Sequence, residues 1–234
     1  MNTDTEWREL NRAMWDEKTP LHLKSPIYDL DGFKAGRLSL KPHEIADLGD
    51  VTGKDLVHLQ CHIGLDTLSL ARLSAQVTGL DFCEVAVQAG TTLAREIGIE
   101  ARFVSSDVYD APAALSSKTY DIVYTGVGAL CWLPDLDRWE NVVRDLIQPR
   151  GQLYLFELDP MERILEAGPT REVEIRYDYF TLKTGHRKAG SVVYADACTP
   201  TSANTTVQWN HSLGEVGDGS RASRAHHRLT AGIG

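Results

Sequence analysis

The feature that most constrains this chain is the regular alternation of short apolar runs with helical stretches between residues 55 and 158. LVHLQC (56–61) is a brief apolar run, and DTLSLARLS (66–74) after it places apolar residues at helical spacing. The pair repeats as QVTGLDF (76–82) and EVAVQAGTTLAREIG (84–98), with Gly98 as a fitting helix stop. ARFVSSDV (101–108) and YDIVYTGV (120–127) read as the third and fourth strands. Residues 135–147 read as a helix, Pro149-Arg150-Gly151 as a turn and GQLYLFEL (151–158) as a fifth strand. Strands that alternate with helices bury both faces of a parallel sheet. The pattern therefore predicts an α/β fold: a doubly wound, mostly parallel sheet with helices on both faces. Such sheets bind ligands beyond the carboxyl ends of their strands, near the point where the strand order reverses.

The flanks are patterned differently. Residues 5–17 read as a helix with Trp7, Leu10, Met14 and Trp15 near one face, stopped by Thr19-Pro20. A loop is expected from there to Gly36, then a short helix from Pro42 to Leu48. SVVYADA (191–197) and NTTVQWNHSL (204–213) read as two strands of a β-type insertion. No internal repeat or low-complexity linker divides the 234 residues, so one domain is expected. Its parts are an N-terminal helical lid (1–50), a central core (51–160), a β-type cover (161–216) and an atypical, disordered tail (217–234).

Composition narrows the function by exclusion. The formal net charge is −9 and no long basic run appears, so the bulk field repels nucleic acid and anionic lipid, and neither is expected as a partner. No apolar run approaches the ~20 residues that span a bilayer. The start MNTDTEWREL lacks the apolar core of a signal peptide, so a cytoplasmic location is expected. Cys61, Cys83, Cys131 and Cys198 form no C-x-x-C pair and lie in or near apolar stretches, which predicts buried, reduced thiols. His58 and His62 have no partner at zinc-like spacing, and no metal site is expected.

Three strand ends carry candidate chemistry. The first strand runs into Gln60-Cys61-His62-Ile63-Gly64 before a helix begins. Gly64 has no Cβ and lets backbone approach a ligand, and the helix start offers free N–H donors; many such turns bind nothing. The second strand ends in Asp81, an acid suited to accept from both hydroxyls of a ribose or, alternatively, to cap the helix beginning at Glu84. The third ends in Asp107-Val108, either an acceptor for an exocyclic amine with an apolar neighbour or a turn cap.

Taken in order, VHLQCHIGLDTLSLA, VTGLDF, FVSSDVYD, YDIVYTGVGALCWLPDLDRW and GQLYLFELDP resemble class I S-adenosylmethionine-dependent methyltransferases. The loop departs from the general pattern of an acid followed by three spaced glycines. His58 stands at the acid, Gln60 at the first glycine and His62 at the second, which is similar to a subgroup with an LQCHxG-type loop. The resemblance implies a Rossmann-like fold and S-adenosylmethionine as cofactor. It puts Gly64 at the last glycine, beside the methionine moiety, with Gln60 and His62 bringing side chains where backbone usually lies. It puts Asp81 on the ribose with Phe82 beside it, and Asp107 and Val108 on the adenine. Thr125 and Gly126 face the sulfonium, and Tyr28, with Trp15 and His22, closes over the cofactor from the lid.

Methyl transfer is an in-line displacement, for which holding nucleophile and methyl in line is much of the catalysis. A general base is needed when the acceptor is a protonated oxygen or nitrogen. His211 and Glu157 are the expected catalytic residues, with Asp159 as a further candidate. A small-molecule methyl acceptor and a monomer or homodimer are expected. The competing expectation is a non-catalytic S-adenosylmethionine-binding or interaction protein, a truncated or degenerate methyltransferase. A nicotinamide oxidoreductase is disfavoured, since no G-x-G-x-x-G follows the first strand. The tail GDGSRASRAHHRLTAGIG changes character, and it reads as disordered or as the product of a shifted reading frame. In the second case the terminal strand pair that the resemblance implies is missing, leaving the fifth strand as an unpaired edge.

Overall fold

In the computed structural model, which describes residues 3–167, 172–180, 184–189 and 201–222, the five expected strands form one sheet. They are β1 (Asp55–Leu59), β2 (Gln76–Asp81), β3 (Arg102–Ser105), β4 (Tyr120–Thr125) and β5 (Ile147–Leu155). The order is β3-β2-β1-β4-β5, and every pairing is parallel. The chain winds outward from β1 to β3, returns to β4 and continues to β5, so the order reverses between β1 and β4. β1, β2 and β4 are buried at nearly every position, which is why their sequences run apolar rather than alternating. Among the described residues the sheet ends at β5.

Ahead of the sheet lie α1 (Thr3–His22), α2 (Leu30–Lys34) and α3 (Pro42–Leu48), and between its strands α4 (Leu65–Arg72), α5 (Glu84–Glu96), α6 (Ala111–Ala114) and α7 (Leu136–Leu146). Successive side chains of a strand point to opposite faces, and the core divides accordingly. Val57, Leu59 and Val123 pack with Trp139, Val143 and Leu146 of α7. Leu56, Ile122 and Tyr124 pack on the other face with Leu70 of α4 and Leu48 of α3. Each sheet face thus receives an apolar stripe of its own.

Several boundaries differ from the sequence expectation. α1 does not stop at Thr19-Pro20 but runs through Pro20 to His22. Pro20 forfeits one intrahelical donor, yet the last turn is held by side chains: Thr19 Oγ1 donates to the Trp15 carbonyl of the same helix at 2.7 Å, and from outside His62 Nε2 lies 3.2 Å from His22 Nδ1. α2 replaces part of the expected loop, capped by Asp29. β3 is shorter than expected because Asp107 opens a 3-10 turn over Val108–Asp110. The Pro149-Arg150-Gly151 turn lies inside β5 as an irregularity. Ile147 pairs with Tyr120 and Gln152 with Ile122, and Arg150 takes a left-handed φ of 72°.

Beyond the sheet lie α8 (Pro160–Ile164), β6 (Leu165–Ala167) paired antiparallel with β7 (Val173–Ile175), β8 (His186–Ala189) paired antiparallel with β9 (Thr205–Gln208), and α9 (Leu213–Ala222). The expected strand over 204–213 is β9, shorter and closed by α9. The one over 191–197 lies outside the described residues, as does Cys198. Residues 217–222 of the atypical tail continue α9 as helix, and 223–234 lie outside the described residues.

Candidate functional site

The loop after β1 has a backbone that its sequence conceals. Gln60 (φ 57°), His62 (φ 51°) and Gly64 (φ 74°) all occupy the left-handed region. Glycine adopts it freely, whereas a residue with a side chain loses about 1–2 kcal/mol there. Spaced glycines would give the same path; here two bulky residues hold it. Gly64 is also needed for packing, since a Cβ at that position would fall on the Phe103 ring. The space a ligand was expected to share with this glycine is filled by protein.

Asp81 organises the site. It ends β2 and is 7% exposed. One oxygen accepts from the His62 N–H at 2.8 Å and the other from the Cys83 N–H at 2.9 Å. It is not the cap of the next helix; Cys83 is, with its Sγ accepting from Ala86 N. Burial raises the Asp81 pKa to about 6, against the pull of its N–H donors, so the carboxylate is ionised at neutral pH. An ionised carboxylate has about four lone-pair directions, and backbone takes two of them.

Asp107 fills the role of a turn cap and more. Its Oδ1 accepts from Tyr109 N at 2.9 Å, while Oδ2 lies 2.5 Å from Arg8 Nε of α1. That Nε–H makes no hydrogen bond, so the contact is a pairing of charges. Asp81, Phe82, Asp107, Val108 and Gln60 line a cavity of about 30 Å³, which α1 closes with Trp7 and Asn11. Gln60 Nε2 donates to the Ala129 carbonyl at 2.9 Å, while its Oε1 is buried without a partner. Thr125 ends β4 beside Leu59 of β1, outside these walls; its Oγ1 is likewise buried without a partner. A Cβ on Gly126 would lie 3.6 Å from His58 Nε2 and 3.7 Å from Asp66 Oδ2.

His62 turns its side chain toward α1. Its ring lies 5.1 Å from His22, 5.2 Å from Trp15 and 5.7 Å from Tyr28. Tyr28 stacks on His22, and its hydroxyl is 3.3 Å from His22 Nδ1, so it reaches the loop through the imidazole pair rather than through the cavity wall. Burial lowers the pKa of His22 to about 4 and of His62 to about 3, which leaves both rings neutral at pH 7. Buried thiols follow the same rule: Cys61 is pushed well up, and Cys83 and Cys131 rise to about 12.

Glu157 and His211, far apart in sequence, meet at a second cavity of about 290 Å³ beyond the end of β5. Its other walls include Leu155, Pro160, Trp209 and Leu213. Glu157 accepts from the N–H groups of Gly128, Leu130 and Leu158 at 2.7–2.9 Å and lies 3.5 Å from Arg163, so it pins the loop after β4. His211 Nε2 lies 2.8 Å from the Leu133 carbonyl, which only accepts, so that nitrogen carries the proton. Burial lowers the His211 pKa and keeps the ring neutral. Asp159 caps α8. Trp7 of the first cavity and Trp209 of the second stand edge to face, 5.3 Å apart, between the two.

The sequence reading did not single out Arg8 and Asn11. Asn11 left a signal: it lies four residues after Trp7 and three before Met14, on the apolar face of α1, where a polar residue needs a partner. That partner is Val207 of β9, whose N–H and carbonyl it meets at 2.8 and 2.9 Å. Arg8 left none, because its partner is about a hundred residues away. Among the described residues no helix is long and apolar enough to cross a membrane, and no three metal-ligating side chains converge.

Residues 56–151 match the family described as a methyltransferase domain. Ubiquinone biosynthesis O-methyltransferase of Salmonella paratyphi A is 32% identical over 148 residues, which is 62% of this chain and 55% of that protein. The Salmonella typhi protein of the same name is 28% identical over 145 residues, with the same coverage. The chain thus spans little more than half the length of these relatives. A Mesorhizobium loti S-adenosylmethionine-dependent methyltransferase is similar in fold, with a TM-score of 0.56 over 78% of this chain and 79% of that one, at 16% identity. A protein from Pyrococcus horikoshii is similar with a TM-score of 0.53, over 77% and 78%, at 14% identity. The parallel core therefore shares the Rossmann-like fold of these structures, and residues 56–151 are similar to a methyltransferase domain.

Proposed function

We propose that this protein transfers the methyl group of S-adenosylmethionine to a small-molecule acceptor. The observation that carries this is Asp81: a buried carboxylate at the end of β2, fixed by two backbone donors, with lone pairs left for the two hydroxyls of a ribose. The orphaned Gln60 Oε1 and Thr125 Oγ1 fit the same group, being buried acceptors in want of a donor such as the cofactor's ammonium. Asp107 is the acceptor for the adenine amine, and Phe82 and Val108 flank the ring. His62 holds the loop by its backbone N–H on Asp81, Gly64 seats that loop on Phe103, and Gly126 gives the close approach at the end of β4. The arrangement belongs to the LQCHxG-type loop.

When bound, S-adenosylmethionine supplies an electrophilic methyl on a sulfonium. The chain's own task is to orient it, exclude water and present an acceptor in line. The cavity at Glu157 and His211 is assigned to the acceptor. Its size suits a small organic molecule. Glu157 positions the loop after β4, and His211, neutral at pH 7, is the residue assigned to take the acceptor's proton. The O-methyltransferases among the relatives support an oxygen acceptor.

Titration calorimetry with S-adenosylhomocysteine tests the cofactor assignment. The wild-type chain is expected to bind saturably, and Asp81→Ala to bind about a hundredfold more weakly through loss of two charge-assisted hydrogen bonds. A thermal melt of Asp81→Asn, which keeps the shape, separates lost binding from lost folding. Saturable binding that Asp81→Ala leaves undiminished would remove the assignment of Asp81 to the cofactor.

A further inference from the structure

Helix α1 lies across the carboxyl ends of three strands in turn. Arg8 reaches Asp107 after β3, Asp16 accepts from Cys83 Sγ after β2 at 3.1 Å, and His22 meets His62 after β1. With 1.5 Å of rise per residue, Arg8 and His22 are about 21 Å apart along the axis. The helix is also joined to the paired strands β8 and β9 and to the residues just before β9. Asn11 pairs with both backbone groups of Val207, Glu17 accepts from Ser202 N at 2.8 Å and Ala203 N at 2.6 Å, and Arg187 reaches Glu6 at 2.8 Å. α1 and β9 therefore form one body that covers the strand ends. Beneath it only about 30 Å³ is open, room for a water or two and far below the several hundred Å³ of a small-molecule pocket.

We propose that the pairing of Arg8 with Asp107 is a latch that holds this lid shut and competes with the cofactor's adenine for Asp107. This inference rests on the assignment of Asp107 to the adenine. The competition is direct, since the guanidinium sits against Oδ2 while Oδ1 is committed to the Tyr109 N–H. Admission of the cofactor thus requires the pair to break and the first half of α1 to lift. β9 lifts with it through Asn11. The last turn of α1, fixed at Cys83 and His62, is the hinge end. A ligand that binds the open state alone is weakened by the fraction of molecules that are shut, so loosening the latch tightens binding.

The test is calorimetry with S-adenosylhomocysteine, which lacks the sulfonium charge and so brings little salt dependence of its own. Wild type, Arg8→Gln and the charge-keeping Arg8→Lys are compared at 50 and 500 mM NaCl. Arg8→Gln is expected to bind about fivefold more tightly at low salt, and Arg8→Lys like wild type. Wild-type affinity is expected to rise with salt toward that of Arg8→Gln, whose own affinity stays level. The wild-type salt series needs no variant, so a misfolded substitution leaves the inference exposed. Binding by Arg8→Gln alone supports the latch at its strongest. Saturable wild-type binding that is level with salt, with Arg8→Gln equal or weaker, overturns the latch and leaves the cofactor assignment standing. Absence of binding by all three overturns both.

Discussion

Gln60 holds a left-handed backbone that glycine would adopt without cost, and its side chain accounts for the choice. The amide bridges to the Ala129 carbonyl and leaves a buried Oε1 without a partner. Gln60→Gly releases about 1–2 kcal/mol of backbone strain but loses a hydrogen bond and gains chain entropy when unfolded, about 1 kcal/mol each. Denaturant unfolding is therefore expected to show stability within about 1 kcal/mol of wild type. S-adenosylhomocysteine affinity is expected to fall about tenfold or more, because an acceptor for a charged donor is gone. Unchanged affinity would show that Gln60 is there for the loop alone. Residues 60 and 62 are also where the sequence was hardest to read: nothing in Gln or His announces a left-handed backbone, which the neighbouring strands impose.

At the scale of elements, the joint between β2, β3, α5 and the β1 loop is set by one ring. A Cβ placed on Gly64, Gly79 or Gly90 would meet Phe103, so three glycines from three segments form a socket for it. Gly79 sits mid-strand, where glycine weakens a sheet unless a close approach requires it. Gly79→Ala is expected to cost about 1–3 kcal/mol by overpacking. In a double-mutant cycle, Phe103→Leu is expected to absorb at least half of that cost; strict additivity would refute the socket. The strands themselves were legible, because burial on both faces demands continuous apolar runs. Their ends were less so. β5 takes in a Pro-Arg-Gly turn as an irregularity, and α1 passes Pro20, since pairing with β4 and contact with the His62 loop outweigh local preference.

For the molecule as a whole, buried titratable groups set the response to acid. Burial holds His22 near 4 and His58 and His62 near 3, all from 6.5. Below pH 6.5 the unfolded chain therefore takes three protons that the fold refuses, and stability is lost as pH falls. Asp66 and Asp81 act the other way: raised from 3.8 to about 6, they take two protons in the fold that the unfolded chain refuses between about pH 6 and 4. Near pH 5 these five groups leave about one proton in favour of unfolding, a loss of about 1.4 kcal/mol per pH unit, and His186 and His211, also lowered by burial, add to it. The thermal midpoint is expected to drop between pH 7 and pH 5, and a midpoint that holds or climbs would contradict the balance.

What the sequence determined by itself is the parallel sheet, its strand-end carboxylates and the order in which they come. These follow from local hydrophobic patterning, and strand ends of a parallel sheet necessarily share one edge. Only the tertiary structure decided how that edge is covered. Arg8 on Asp107, Asn11 on Val207, and Glu157 beside His211 join residues from roughly fifty to two hundred positions apart, and no local pattern encodes such meetings. The same holds for Gly64, which the sequence offers to a ligand and the fold gives to Phe103.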